Sequence, residues 1–222
     1  MSRPASGRGP GWVPLFVVLL AGACQPQSSP ERVCGSFLRA VAEGDATLIF
    51  DQLSQPTQWA LYTVQKNQAR MRKLVQQSYP AGEQAQALSR LYAADAENGR
   101  ELFARLYAER YGASFRQRLG SGAVKAELIP SAPSGGASPV GGELHCHRAA
   151  AGGAAFRFVR EASGRYGLVE LAAEWEAAQL RATHDLATVE KNAEIYRQAG
   201  GTTGPVPSPS PTGPAPAGST TR

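Results

Sequence analysis

The spacing of apolar residues changes twice along the chain. From Pro30 to Leu119 they recur every three or four residues, the spacing of one helix face. Cys34, Phe37, Leu38 and Val41 fall at i, i+3, i+4 and i+7, which predicts a helix that Gly44 ends. Asp45 is placed to cap a second short helix through Phe50 and Leu53. Pro56 suits the first turn of a third helix, along which Ala60, Val64, Met71, Leu74 and Val75 keep helical spacing. Its middle is polar around Asn67, so it is expected to pack at both ends and be wet between, until Pro80-Ala81-Gly82 breaks it. Leu88, Leu91 and Tyr92, then Leu102, Phe103, Leu106 and Tyr107, predict two more amphipathic helices.

At Gly120 the period drops to two. Val124 to Ile129, Glu143 to Arg148, Ala155 to Glu161 and Tyr166 to Leu171 read as four strands. A Pro, Gly, Ser and Ala loop at 130–142 separates the first two, and Ser163-Gly164-Arg165 is a short turn before the last. Connections this direct imply an antiparallel meander. From Ala172 the helical period returns through Trp175, Ala178, Ala182, Leu186, Val189, Ala193 and Tyr196. This long helix runs to Gly200-Gly201, with Thr183-His184-Asp185 as a candidate break in the middle. Helices, then a four-stranded antiparallel meander, then a long C-terminal helix make an α+β class, read as a single domain over 31–199.

The flanks differ in composition. Gly200 to Arg222 holds six prolines, no aromatic residue and one charge, Arg222, so it reads as a disordered Pro-rich tail. Its two uses are an inert end, or a spacer or docking segment in a cell wall. At the other end, Arg3 and Arg8 precede the apolar run Trp12 to Ala21, and no acidic residue occurs before Glu31. That run is about half the ~20 residues a membrane-spanning helix needs, so 1–23 reads as a secretory signal peptide. Residues 24–30 form a short polar tether.

Leu20-Ala21-Gly22-Ala23-Cys24 resembles the lipobox of bacterial lipoproteins. The resemblance implies diacylglycerol on the Cys24 sulfur, with cleavage leaving Cys24 as the first residue. Ala21 stands where that family usually has Leu, and Ala21-x-Ala23 also fits ordinary signal peptidase cleavage, which releases a free secreted protein. Gln25 stands where Asp commonly signals inner-membrane retention, so the resemblance points to the periplasmic face of the outer membrane. The expected partners are the membrane, through the N-terminal lipid, and an envelope protein or wall component.

Removing residues 1–23 takes away Arg3 and Arg8 and lowers the net charge from +5 to +3. That gives no case for nucleic acid, which needs a clustered basic face. Only Gln65 to Lys73 is locally basic, through Lys66, Arg70, Arg72 and Lys73. It reads as a solvated helix face, with weak contact to anionic headgroups or wall polymers as the alternative. An acylated Cys24 leaves Cys34 and Cys146 as an even pair. In an exported protein they are either a disulfide or two buried thiols.

His145-Cys146-His147 is the strongest chemical pattern. On a strand the two histidines share a face and Cys146 joins Leu144 on the other. His145 and His147 are candidate zinc or copper ligands, with His184 the only histidine left to complete a site. The competing arrangement puts Leu144 and Cys146 in the core, with Cys34 covering Cys146 and both histidines in solvent. Glu170, Glu174 and Glu176 cluster where the last strand meets the last helix, where acids offset the helix dipole. Serine-nucleophile, phosphate-loop and dinucleotide fingerprints are absent from the sequence, and no cofactor is called for.

Phe37 to Asp45, followed by Leu48, Phe50, Leu53 and Ser54, resembles the opening of the nuclear-transport-factor-two-like superfamily of cone-shaped α+β domains. The resemblance implies a curved sheet, and in some members a pocket holding a carboxylate and a tyrosine. Neither Tyr166 nor any Asp here aligns with those roles. The functional expectation is a non-catalytic envelope lipoprotein acting as a binding or accessory module. The alternatives are a small-molecule binder or enzyme on a cone fold, and a metal-binding periplasmic protein.

Overall fold

The computed structural model describes residues 29–130, 142–149 and 154–201. The signal segment 1–23, Cys24 with its tether to Ser28, most of the 130–142 loop and the tail from Thr202 lie outside the described residues.

Helix α1 spans Pro30–Glu43 and opens on Ser29, whose hydroxyl accepts the Arg32 amide at 3.4 Å. It ends at Gly44, whose φ of 73° is open to glycine at little cost. The Asp45 amide then reaches the Ala40 carbonyl at 2.9 Å, closing a Schellman-type cap. The same Asp45 accepts the Leu48 amide at 3.0 Å and so starts α2, Ala46–Gln52. Two adjacent residues thus end one helix and begin the next.

Helix α3, Gln55–Ser78, carries Pro56 in its first turn. Its buried stripe runs unbroken through Ala60, Val64, Gln68, Met71 and Val75, so the middle is not wet. Gln68 is buried there because its side-chain oxygen accepts the Ala93 amide at 2.8 Å, which supplies the partner that burial requires. Asn67 meets solvent and donates to the Thr183 hydroxyl at 3.3 Å.

Helix α4 covers Ala81–Leu88 only. Leu91 and Tyr92 fall instead in a turn that buries Ala93 and Ala96. That turn replaces the expected helix because α3 bonds its backbone: Gln65 donates to the Ala96 carbonyl at 2.7 Å, beside the Gln68 contact. Asn98 then caps α5, Gly99–Leu106, accepting two backbone amides at 3.0 Å each. A π-helical turn, Tyr107–Tyr111, and α6, Gly112–Arg118, continue it.

Strands β1 (Val124–Ile129), β2 (Glu143–Arg148), β3 (Phe156–Arg160) and β4 (Tyr166–Leu168) form one antiparallel sheet in chain order. The expected α+β layout is the observed one. Helix α7, Ala172–Gly201, follows without a break at Thr183-His184-Asp185. The Thr183 hydroxyl bonds the Gln179 carbonyl at 2.9 Å, a back-bond that lets threonine sit inside a helix.

Helix α1 lies over the sheet. Phe37 packs its ring 4.9 Å from Phe156 and 5.1 Å from Phe158, and Phe115 of α6 closes the cluster. Cys34 and Cys146, both fully buried, are joined by a disulfide with Cα atoms 5.2 Å apart, inside the usual window. The bond ties α1 to the second strand of the sheet. Helices α3 and α7 start together: the Ser54 amide donates to the Leu168 carbonyl at 2.9 Å. Gly167 makes that approach possible, since a Cβ there would lie 2.6 Å from the Ser54 Cα. The two helices then run parallel, through Asn67 to Thr183, Arg70 to Glu190 at 2.6 Å, and Tyr79 against Tyr196 at 4.8 Å.

Candidate functional site

Arg32, Gly35, Ser36 and Arg39 occupy i, i+3, i+4 and i+7 of α1, a strip beside the core-facing one. Gly35 keeps the strip low: a Cβ added there meets nothing within 4 Å. The strip is one wall of a surface groove of about 720 Å³. Asp51 and Gln52 of α2 form the opposite wall with Arg165 and Tyr166 at the start of β4.

The charges of that second wall are already matched. Arg165 donates to the Asp51 carbonyl at 2.6 Å and the Leu53 carbonyl at 3.1 Å, and pairs with Glu161 at 3.0 Å. Asp51 is held by the guanidinium of Arg100. On the α1 wall, neither the Arg32 nor the Arg39 guanidinium has a hydrogen bond or ion pair to another described residue, and both residues are exposed. Among the described residues the buried Gln52 side-chain oxygen has no partner, while its amide nitrogen reaches the Ser36 hydroxyl at 3.3 Å.

A second hollow lies across the same turn, lined by Gln55, Gln58, Trp59 and Tyr62. Gln58 fixes the turn by donating to the Phe50 carbonyl at 2.8 Å. Trp59 stands 62% exposed, which is unusual for the largest side chain in a folded body.

The histidines lie on the outer face of the sheet, opposite fully buried Leu144 and Cys146. His145 Nε2 is 3.1 Å from Glu143, and His147 Nε2 is 3.8 Å from Glu127 on the paired strand. His184 sits exposed on α7, next to the Thr183 that meets α3. Among the described residues, no group of three or more His, Cys, Asp or Glu is placed to hold a metal ion.

The basic stretch of α3 is divided. Arg70 pairs with Glu190 and Arg72 with Asp95, leaving Lys66 and Lys73 to solvent. The glutamates at the start of α7 are also separated. Glu170 faces Arg118 at 3.3 Å and accepts the Arg157 amide at 2.9 Å. Glu174 accepts the Tyr111 hydroxyl at 2.6 Å.

That last contact uses the π-turn. Its wider winding sets Tyr107 and Tyr111 both into the core, against Phe115 and Phe103. Burial, then the Glu174 hydrogen bond and charge, push the Tyr111 hydroxyl far above the usual tyrosine range. A hydroxyl held protonated this firmly is a donor and not a base, so the pair latches α7 to the helical layer. Tyr111→Phe is expected to cost about 1 kcal/mol. The latch has a pH signature. The unfolded tyrosine ionises first, so its stabilisation is complete below about pH 10 and is withdrawn as pH rises beyond it. Urea unfolding from pH 9 to 11 should show a steeper loss in the wild type than in Tyr111→Phe; equal slopes would remove the latch.

Sequence reasoning missed the groove, because its walls come from 31–39, 51–52 and 165–166. The one legible signal was Arg32 and Arg39 seven residues apart on a helix. Comparison of the chain with protein-family models, with curated proteins and with solved structures gives no match.

Proposed function

We propose that the chain is an exported bacterial lipoprotein, anchored to the cell envelope by acylated Cys24, whose α+β body is a binding or accessory module without catalysis. The disulfide carries this reading. Such bonds persist in oxidising compartments and are rare where thiols are kept reduced. Two of the three cysteines are spent on each other, and the third stands in the lipobox-like segment, five residues before Ser29. Gln25, standing where Asp commonly signals inner-membrane retention, supports the periplasmic face of the outer membrane by resemblance only.

Two observations weigh against the cone-type alternative, which needs an enclosed cavity lined by an acid and a base. Phe37, Phe115, Phe156 and Phe158 fill the space between helices and sheet. The nearest carboxylate–tyrosine pair, Glu174 and Tyr111, is closed on itself. The metal alternative finds His145 and His147 each beside a single glutamate.

The test is fractionation of the full chain expressed in a didermal bacterium. The wild type is expected in the membrane fraction. Cys24→Ser moves to the soluble fraction by tenfold or more, since each acyl methylene contributes ~0.8 kcal/mol to anchoring. Unchanged partitioning, or a mature wild-type N-terminus without lipid mass, would sink the anchor.

A further inference from the structure

We propose that the face carrying Arg32, Arg39 and Trp59 is a docking surface for anionic phospholipid headgroups, so that the body lies on the bilayer in one orientation. The inference rests on lipid attachment at Cys24. From Cys24 to Ser29 the chain has five residue steps and can extend at most about 18 Å. The start of α1 is therefore held close to the headgroups, and Arg39 lies only about 14 Å further along the helix.

The face presented there suits such a surface. Arg32 and Arg39 are exposed and without partners among the described residues. Arg32 sits in the first turn of α1 beside Glu31, which lines the same groove and offsets the helix dipole, so the strip sets these two cations against one carboxylate. The other cations around the groove, Arg165 and Arg100, are already engaged by Glu161 and Asp51. The Asp51 and Leu53 carbonyls each take both Arg165 of the groove and Gln58 of the adjoining hollow, which Trp59 and half-exposed Tyr62 line. Tryptophan and tyrosine are the side chains that settle at the headgroup level. The basic residues of α3 are the weaker rival, since Arg70 and Arg72 are paired.

Trp59 supplies the readout. The chain has three tryptophans; Trp12 lies in the leader and Trp175 is 2% exposed, so Trp59 alone can meet a lipid quencher. The mature full chain is reconstituted in phosphatidylcholine vesicles, with or without about one-third phosphatidylglycerol, and with brominated acyl chains as quencher. Arginines are footprinted in parallel with a dicarbonyl reagent and read by mass spectrometry.

In the anionic vesicles, Arg32 and Arg39 labelling should fall about threefold or more and Trp59 should be quenched, while Arg197 is unchanged. The Arg32→Glu/Arg39→Glu variant should lose the quenching and stay folded. Equal labelling and quenching in both vesicle types overturns the proposal. So does loss of the effect on Lys66→Glu/Lys73→Glu instead. Protection by inorganic phosphate without vesicles reassigns the groove to a soluble anion, and protection by lipid-free envelope extract reassigns it to a protein. Failure of the anchor reads separately, as a chain that does not float with neutral vesicles; the footprint on added anionic vesicles at low salt then still decides the surface.

Discussion

Reducing the Cys34–Cys146 bond should lower the stability of the folded chain by about 4–5 kcal/mol. The two residues are 112 apart in sequence, so the cross-link removes a very large loop from the freedom of the unfolded chain. A loss of that size is about a quarter or more of what holds an ordinary domain together, about 5–15 kcal/mol. Both cysteines are fully buried, so replacing them by alanine adds a packing loss of its own, limited to one sulfur atom at each site. Urea unfolding with and without reductant, on wild type and on Cys34→Ala/Cys146→Ala, measures the effect. The wild-type midpoint should drop under reductant to near that of the double variant, which reductant should not move. A shift below about 1 kcal/mol would mean the unfolded state is already compact enough to gain nothing from the link.

Phe37→Ala is expected to cost about 3–5 kcal/mol. Its ring is wholly buried and meets Phe156, Phe158 and Phe115, so truncation opens a void bounded by α1, α6 and β3. Phe37→Leu keeps much of the volume and should cost less than about 1.5 kcal/mol. Thermal melts of the two variants separate volume from aromatic geometry; equal losses would place the cost in ring packing. Cys34 precedes Phe37 by three residues on the same helix face. The two substitutions both loosen α1 from the sheet, and their combined effect should differ from the sum by about 0.5–3 kcal/mol.

The helix boundaries were legible where chemistry is local. Gly44-Asp45 works as a cap because a left-handed residue and a side-chain acceptor act within a few residues of themselves. The face of His145-Cys146-His147 was legible too, since alternation on a strand needs no knowledge of the neighbours. Cys34 and Cys146 stayed open between a bond and two thiols until the fold set them together. Where reading failed, a distant partner decided. Leu91 and Tyr92 keep helical spacing, yet the 89–98 turn bonds to Gln65 and Gln68 of α3. The wet middle expected for α3 is dry for the same reason. The groove was hidden because three remote segments build it, and neither arginine of α1 carries a motif.

Parallel α3 and α7 have a consequence for reach. Arg32 and Tyr166 border one groove, so the chain enters the body beside β4, where α7 is about to begin. Helix α7 is 30 residues long and carries the chain about 45 Å from that neighbourhood before Gly201. Entry and exit are thus at opposite poles, joined by a paired rod in place of a returning loop. Under the proposed lipid anchor at Cys24, the rod works as a boom: the chain that continues beyond Gly201 starts tens of ångströms from the mooring point.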